Sequence, residues 1–104
     1  MDSSQFGGMH SVDFSQFGKL GQPHLLERTV EVEATVGGKV ARFRVEAFRR
    51  YAGGPGDCRA RVYRYEDLGN GVGTWNDLSL PLAYRETPDQ ALEMALAALQ
   101  ERCD

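Results

Sequence analysis

From Leu25 to Val36 apolar and polar residues alternate with a period of two, and after Gly37-Gly38 the alternation resumes from Val40 to about Arg50. That period belongs to a strand with one buried face, and a Gly-Gly pair between two such runs signals a tight hairpin turn. A two-residue turn centred there pairs position i with position 75 minus i. Glu31 then stands opposite Arg44 and Glu33 opposite Arg42 on one face, while Val30 meets Val45 and Val32 meets Phe43 on the other. Because opposite charges and apolar pairs agree on one register, the pattern predicts an antiparallel hairpin with one polar and one core face.

Tyr51 to Gly56, containing Ala-Gly-Gly-Pro-Gly, cannot continue a ladder and reads as a loop. A third strand then begins at Asp57 or Cys58, with Cys58, Ala60 and Val62 on the apolar side and Arg59, Arg61, Tyr63 and Tyr65 outward. Two registers bring outward residues together across this second hairpin. The first sets Glu46 against Arg61, Arg50 against Asp57 and Arg44 against Tyr63. The second would set Arg50 against Arg59, like charges in direct opposition, so the first is preferred. Asn70-Gly71 predicts another tight turn and Val72 to Leu78 a fourth strand, in which Trp75 reads first as a core anchor beneath a helix and second as an exposed contact. Leu78 to Tyr84 is apolar but irregular, broken at Pro81.

Thr87-Pro88-Asp89-Gln90 supplies an N-cap hydroxyl, a proline at the first helical position, an acid in the first turn and a capping-box Gln. A helix from Pro88 to about Arg102 is predicted, with Leu92, Ala95, Leu96, Leu99 and Cys103 as its apolar stripe and Met94 nearly opposite, exposed. The fold class is therefore α+β: an antiparallel sheet of three or four strands, one face covered by a C-terminal helix, in a single domain over residues 25–104.

Residues 1–24 lack either periodicity and read as a flexible tail rich in Gly, Ser, Gln and Phe, bounded at Pro23. Within it Ser4-Gln5-Phe6-Gly7 returns as Ser15-Gln16-Phe17-Gly18. The spaced rings of Phe6, Phe14 and Phe17 are candidates for a short docking motif, against the plainer reading of a chance repeat.

A chain of 104 residues, 41% hydrophobic, suits one small domain with a modest core. Its apolar runs are too short to cross a bilayer, and no basic region followed by an apolar stretch opens it, so the cytoplasm is the expected compartment. Cys58 and Cys103 lack a zinc or redox spacing and read as free thiols. The net charge of -3 conceals a polarity: residues 25–67 carry nine basic and seven acidic side chains, residues 68–104 two and six.

Both histidines, His10 and His24, fall in the tail, leaving the domain without an imidazole for base, nucleophile-activating or metal-binding work. Ser79 and the two thiols have no activating neighbour in sequence, and Glu66-Asp67, adjacent on a strand, point to opposite faces. Gly69, Gly71 and Gly73 precede a strand, not the helix that a phosphate loop requires. No catalytic residue, cofactor or metal is expected.

What remains is contact. The outer face gathers Arg42, Arg44, Arg50, Arg59, Arg61, Tyr63 and Tyr65, residue types that bind RNA but also dominate protein interfaces. The carboxylates of Glu31, Glu33, Glu46 and Asp57 oppose those arginines and reduce the attraction for phosphate, leaving only Arg59, beside Phe48, uncommitted. The order of strands followed by a helix beginning Thr87-Pro88-Asp89-Gln90-Ala91-Leu92 resembles the partial ribonuclease-H-like or double-stranded-RNA-binding-like fold of HicB-type antitoxins. That resemblance implies the same strand-then-helix architecture. The function expected is stoichiometric binding to another protein, as adaptor, inhibitor or antitoxin-like partner, with Phe6, Phe14, Phe17, Phe48, Arg59, Tyr63, Tyr65, Trp75 and Met94 as candidate contacts. RNA binding by the Arg/Tyr face ranks second and an enzyme of unrecognised type third. An open edge strand offers a route to a homodimer.

Overall fold

The Gly37-Gly38 turn forms with both residues at positive φ, 60° and 81°, the left-handed backbone that glycine adopts without steric cost. It joins β1 (His24–Val36) to β2 (Lys39–Arg50). The pairs Glu31 with Arg44, Glu33 with Arg42, Val30 with Val45 and Val32 with Phe43 stand in the expected register. After the loop, β3 (Cys58–Gly69) pairs with β2 in the register that avoids opposed arginines, Glu46 facing Arg61 and Arg44 facing Tyr63. β4 (Val72–Asp77) follows the Asn70-Gly71 turn and completes a four-stranded antiparallel sheet in the order β1-β2-β3-β4. With α1 (Pro88–Gln100) packed on one face, the fold is α+β.

The structure is a computed structural model and describes residues 13–51 and 53–104. Phe6, the first copy of the repeat and His10 lie outside the described residues. Within the segment expected to be an irregular tail, Phe14–Phe17 forms a 3-10 turn capped by Asp13, whose carboxylate accepts the Ser15 N–H at 3.0 Å.

Two bulges interrupt the simple alternation, and each turns part of a strand over. In β1 the register shifts between Leu26 and Arg28. Arg28 keeps the register of Val30 and Val32 on the helix side, where it reaches Asp89 of α1 at 3.1 Å, while Leu26 and His24, beyond the bulge, turn to the opposite face beside Phe48 and Arg50. In β3 the register shifts between Asp67 and Gly69, leaving Leu68 as the extra residue and Gly69 at φ 90°. A regular two-residue hairpin at Asn70-Gly71 would set Trp75 opposite Glu66, on the helix side. The bulge instead pairs Trp75 with Tyr65 on the outer face. The reading of Trp75 as a core anchor is thereby corrected: it does not lie under the helix.

The helix begins as expected, Thr87 Oγ1 accepting the Gln90 N–H at 3.1 Å, a cap worth about 1 kcal/mol. It ends at Gln100, short of Arg102. Its fully buried line is Ala91, Ala95 and Leu99, with Leu92, Leu96 and Cys103 partly buried beside it. It lies chiefly over β2 and β3. The sheet offers Ala41, Phe43, Val45, Ala60 and Val62 in return, so a core built mostly from Ala and Val lets helix and sheet approach closely, and Phe43 is its largest fully buried side chain.

Beyond β4 the chain turns away at Ser79, held at φ 54° while the Asp77 carboxylate accepts its N–H at 2.7 Å. The segment to Arg85 then follows the edge of β3. The Leu78 N–H reaches the Val62 carbonyl at 2.9 Å, and Cys58 and Arg85 exchange two backbone bonds. That bridge puts Arg85 on the helix side, where its Nε–H meets the Met94 sulfur at 3.2 Å. Met94 is half-buried in consequence, not exposed as its helical angle alone implies. At the far end Asp104 closes over the first hairpin, its carboxylate accepting the N–H groups of Gly37 and Gly38 at 3.0 and 2.7 Å.

Candidate functional site

The face of the sheet opposite the helix carries two groups of rings and guanidiniums. The first spans all four strands. Glu31, Arg44, Tyr63 and Asp77 form one cross-strand row. Next to it Tyr65 and Trp75 meet edge to face, centroids 5.2 Å apart. The Arg44 guanidinium lies 4.4 Å from the Trp75 ring centroid, and that of Arg42 lies 4.7 Å from Tyr65 and 5.6 Å from Trp75. A cation over an aromatic face at such distances contributes about 0.5–1 kcal/mol at an exposed site. Tyr65 lies directly over Gly73, whose missing side chain makes room for its ring.

One carboxylate serves both arginines: Glu31 is 2.9 Å from Arg44 and 3.7 Å from Arg42. Register and contact thus differ, because Arg42 stands opposite Glu33 in the ladder but leans diagonally to Glu31 and toward the rings. The hydrogen bond from Arg44, ahead of any other influence, holds the Glu31 carboxyl below its ordinary value of 4.5. A carboxyl depressed in the folded state stabilises above its unfolded pKa and loses that contribution as pH falls through the folded value. In thermal melts over a pH series the wild type should therefore exceed Glu31→Gln by a constant margin above pH 4.5, and the gap should close as the solution is acidified below it. A margin that persists unchanged into acid would refute the ion pair.

The second group lies at the other end of the same face. Arg50 and Arg59 converge on Tyr84, the Arg50 guanidinium 4.2 Å and that of Arg59 5.9 Å from its ring centroid. Hydrogen bonds from Arg50 first and Arg59 second pull the Tyr84 hydroxyl below the usual tyrosine range. Arg50 pairs with Asp57 at 3.5 Å, as its place in the register predicts. Phe48 stands opposite Arg59, and the Arg61 guanidinium lies 5.6 Å from its ring. Glu46 faces Arg61 in the ladder, yet among the described residues neither Arg59 nor Arg61 has a carboxylate within 4.0 Å. Two arginines, not Arg59 alone, therefore remain uncompensated.

Of the expected contact residues, Phe48, Arg59, Tyr63, Tyr65 and Trp75 share this face. Met94 is committed to Arg85 on the helix side, and Phe17, with 46% of its surface exposed, lies in the 3-10 turn that Phe14 begins. Tyr84 and His24 complete the second group and were not among those candidates. Proline-broken sequence around Tyr84 conceals its edge pairing, and a one-residue bulge decides the face that His24 takes. Cys58 is fully buried, and burial raises its thiol pKa, the reverse of what a nucleophile needs. Among the described residues no helix is long and apolar enough to cross a membrane, and no three His, Cys, Asp or Glu side chains gather as a metal site. No protein-family model, curated protein or solved structure matches this chain.

Proposed function

We propose that this protein acts by stoichiometric contact with another protein, as adaptor, inhibitor or antitoxin-like partner, through the outer face of its sheet. The observation that carries the reading is the position of Trp75. Trp75 is the chain's single tryptophan, and it sits partly buried on the outer face, outside a core lined mainly by Ala and Val. Trp, Tyr and Arg are the residue types that dominate binding energy in protein interfaces, and here Trp75, Tyr65, Arg42 and Arg44 form one contiguous patch. It rests on the middle and edge of a hydrogen-bonded sheet, so little ordering entropy opposes docking.

The same rings and guanidiniums suit stacking on single-stranded RNA, which is the second reading. Glu31, within 4.0 Å of both arginines, weighs against it, since a carboxylate beside the guanidiniums repels phosphate. The test is affinity capture by the full chain from its native cell extract, with RNA retention measured in parallel at low salt. A recurrent protein partner should be retained by the wild type and by Arg102→Gln, and lost with Tyr65→Ala plus Trp75→Ala at unchanged secondary structure. Capture indifferent to that double substitution would sink the proposal, as would steeply salt-dependent RNA retention with no recurrent protein.

A further inference from the structure

At the end of the outer face away from Trp75, His24, Phe48, Arg59 and Arg61 line a cavity of about 150 Å³. Its apolar lining is Phe48, with Arg59 directly opposite it in the ladder and the Arg61 guanidinium 5.6 Å from its ring centroid. His24 reaches the cavity only because the bulge in β1 turns it outward. Arg59 and Arg61 carry permanent positive charge with no ion-pair partner among the described residues; Arg59 hydrogen-bonds only the Tyr84 hydroxyl, and its Nε, like those of Arg44 and Arg50, is buried without a hydrogen-bond acceptor. A desolvated guanidinium N–H left without an acceptor costs free energy that an incoming anion would recover.

We infer that this cavity receives an acidic side chain, glutamate or aspartate, projecting from the partner protein. The inference rests on the protein-contact reading and adds the partner's chemistry. Size favours one side chain, because small-molecule pockets are typically about 300–1,000 Å³, well above what is present. Chemistry favours carboxylate: guanidiniums bind its two oxygens through parallel N–H bonds, and the adjoining ring excludes water and strengthens them. Surroundings disfavour a nucleic acid strand, whose successive phosphates need a continuous cationic track. Here Glu46 faces Arg61, Asp57 holds Arg50, and Asp77 lines the neighbouring hollow beside Arg59 and Arg61, so the uncompensated zone accommodates one anion and little more.

The experiment titrates the full chain, labelled for detection of arginine side-chain N–H signals, with a peptide of alternating Glu and Ser, its Gln/Ser counterpart, and oligouridylate. With the Glu/Ser peptide the Arg59 and Arg61 Nε–H signals should shift saturably, those of Arg42 and Arg44 little, and the Gln/Ser peptide should shift none. Arg59→Gln or Arg61→Gln should weaken the response about tenfold, while Arg102→Gln leaves it intact. Equal shifts with the Gln/Ser peptide, no saturable shift, shifts spread evenly over all outer-face arginines, or tighter binding of oligouridylate at the same salt would each overturn the inference. If the peptide response fails while capture still depends on Tyr65 and Trp75, the acidic pocket alone is wrong. If the peptide binds as described but no partner is captured, it is the contact function that falls.

Discussion

Phe43→Ala should lower the stability of the domain by about 3–5 kcal/mol, a large share of the roughly 5–15 kcal/mol that holds a domain folded. Phe43 is 2% exposed and is the largest fully buried side chain; Val45, Val62 and Cys58 are the next. The core around it includes four buried alanines, Ala41, Ala60, Ala91 and Ala95, which have no length with which to close a void. The cavity left by the ring would therefore persist, and a persistent cavity adds its own cost to the lost transfer energy. Denaturant unfolding measures the effect: the midpoint should fall at an unchanged slope. A loss under about 1 kcal/mol, the ordinary size of a point-mutant effect, would show that the helix does not rest on Phe43.

Gly73→Ala should dismantle the outer-face patch while leaving the core alone. A Cβ at position 73 would occupy the space of the Tyr65 hydroxyl and ring atoms. Tyr65 can swing away, so the backbone need not move, but it forfeits its edge contact with Trp75 and its place under Arg42. Those contacts are together worth about 1–2 kcal/mol. Because Trp75 is the sole tryptophan, its fluorescence reports the change directly, and emission should shift toward that of a solvated indole. Partner capture should fall in parallel. The decisive comparison is a double-mutant cycle: in a Tyr65→Ala background, Gly73→Ala should cost almost nothing, since the two substitutions remove the same contact. Additive losses would mean that Gly73 is required for its backbone and that the ring above it is incidental.

Local chemistry was enough to write the hairpins. Gly37-Gly38 and Asn70-Gly71 can take the left-handed backbone of tight turns, and between them the alternation of charge and hydrophobicity admits one register for β1 with β2 and one for β2 with β3. Thr87-Pro88-Asp89-Gln90 likewise carries the helix start within four residues, because a cap is satisfied by its own neighbours. The arginine-rich character of the outer face followed from those registers.

The site itself turned on displacements of a single residue. With a side-chain period of two, one extra residue inverts every position beyond it, and the bulge between Asp67 and Gly69 is what carries Trp75 from the helix side to the outer face. The bulge between Leu26 and Arg28 does the same for His24. Neither has a strong local signature; each forms where the ladder and the packing beneath it are best satisfied together. Ion pairing was similarly undetermined by register. Arg42 opposes Glu33 but bonds Glu31, and Arg61 opposes Glu46 without reaching it, because long side chains choose among neighbours according to the rings and charges around them. The pairing of Cys58 with Arg85, which sets Tyr84 against Arg50 and Arg59 and Met94 against Arg85, joins residues far apart in the chain. Turns, registers and caps are short-range and legible in order along the chain. The face of a bulged strand and the company of an arginine are settled only when the whole sheet closes beneath its helix.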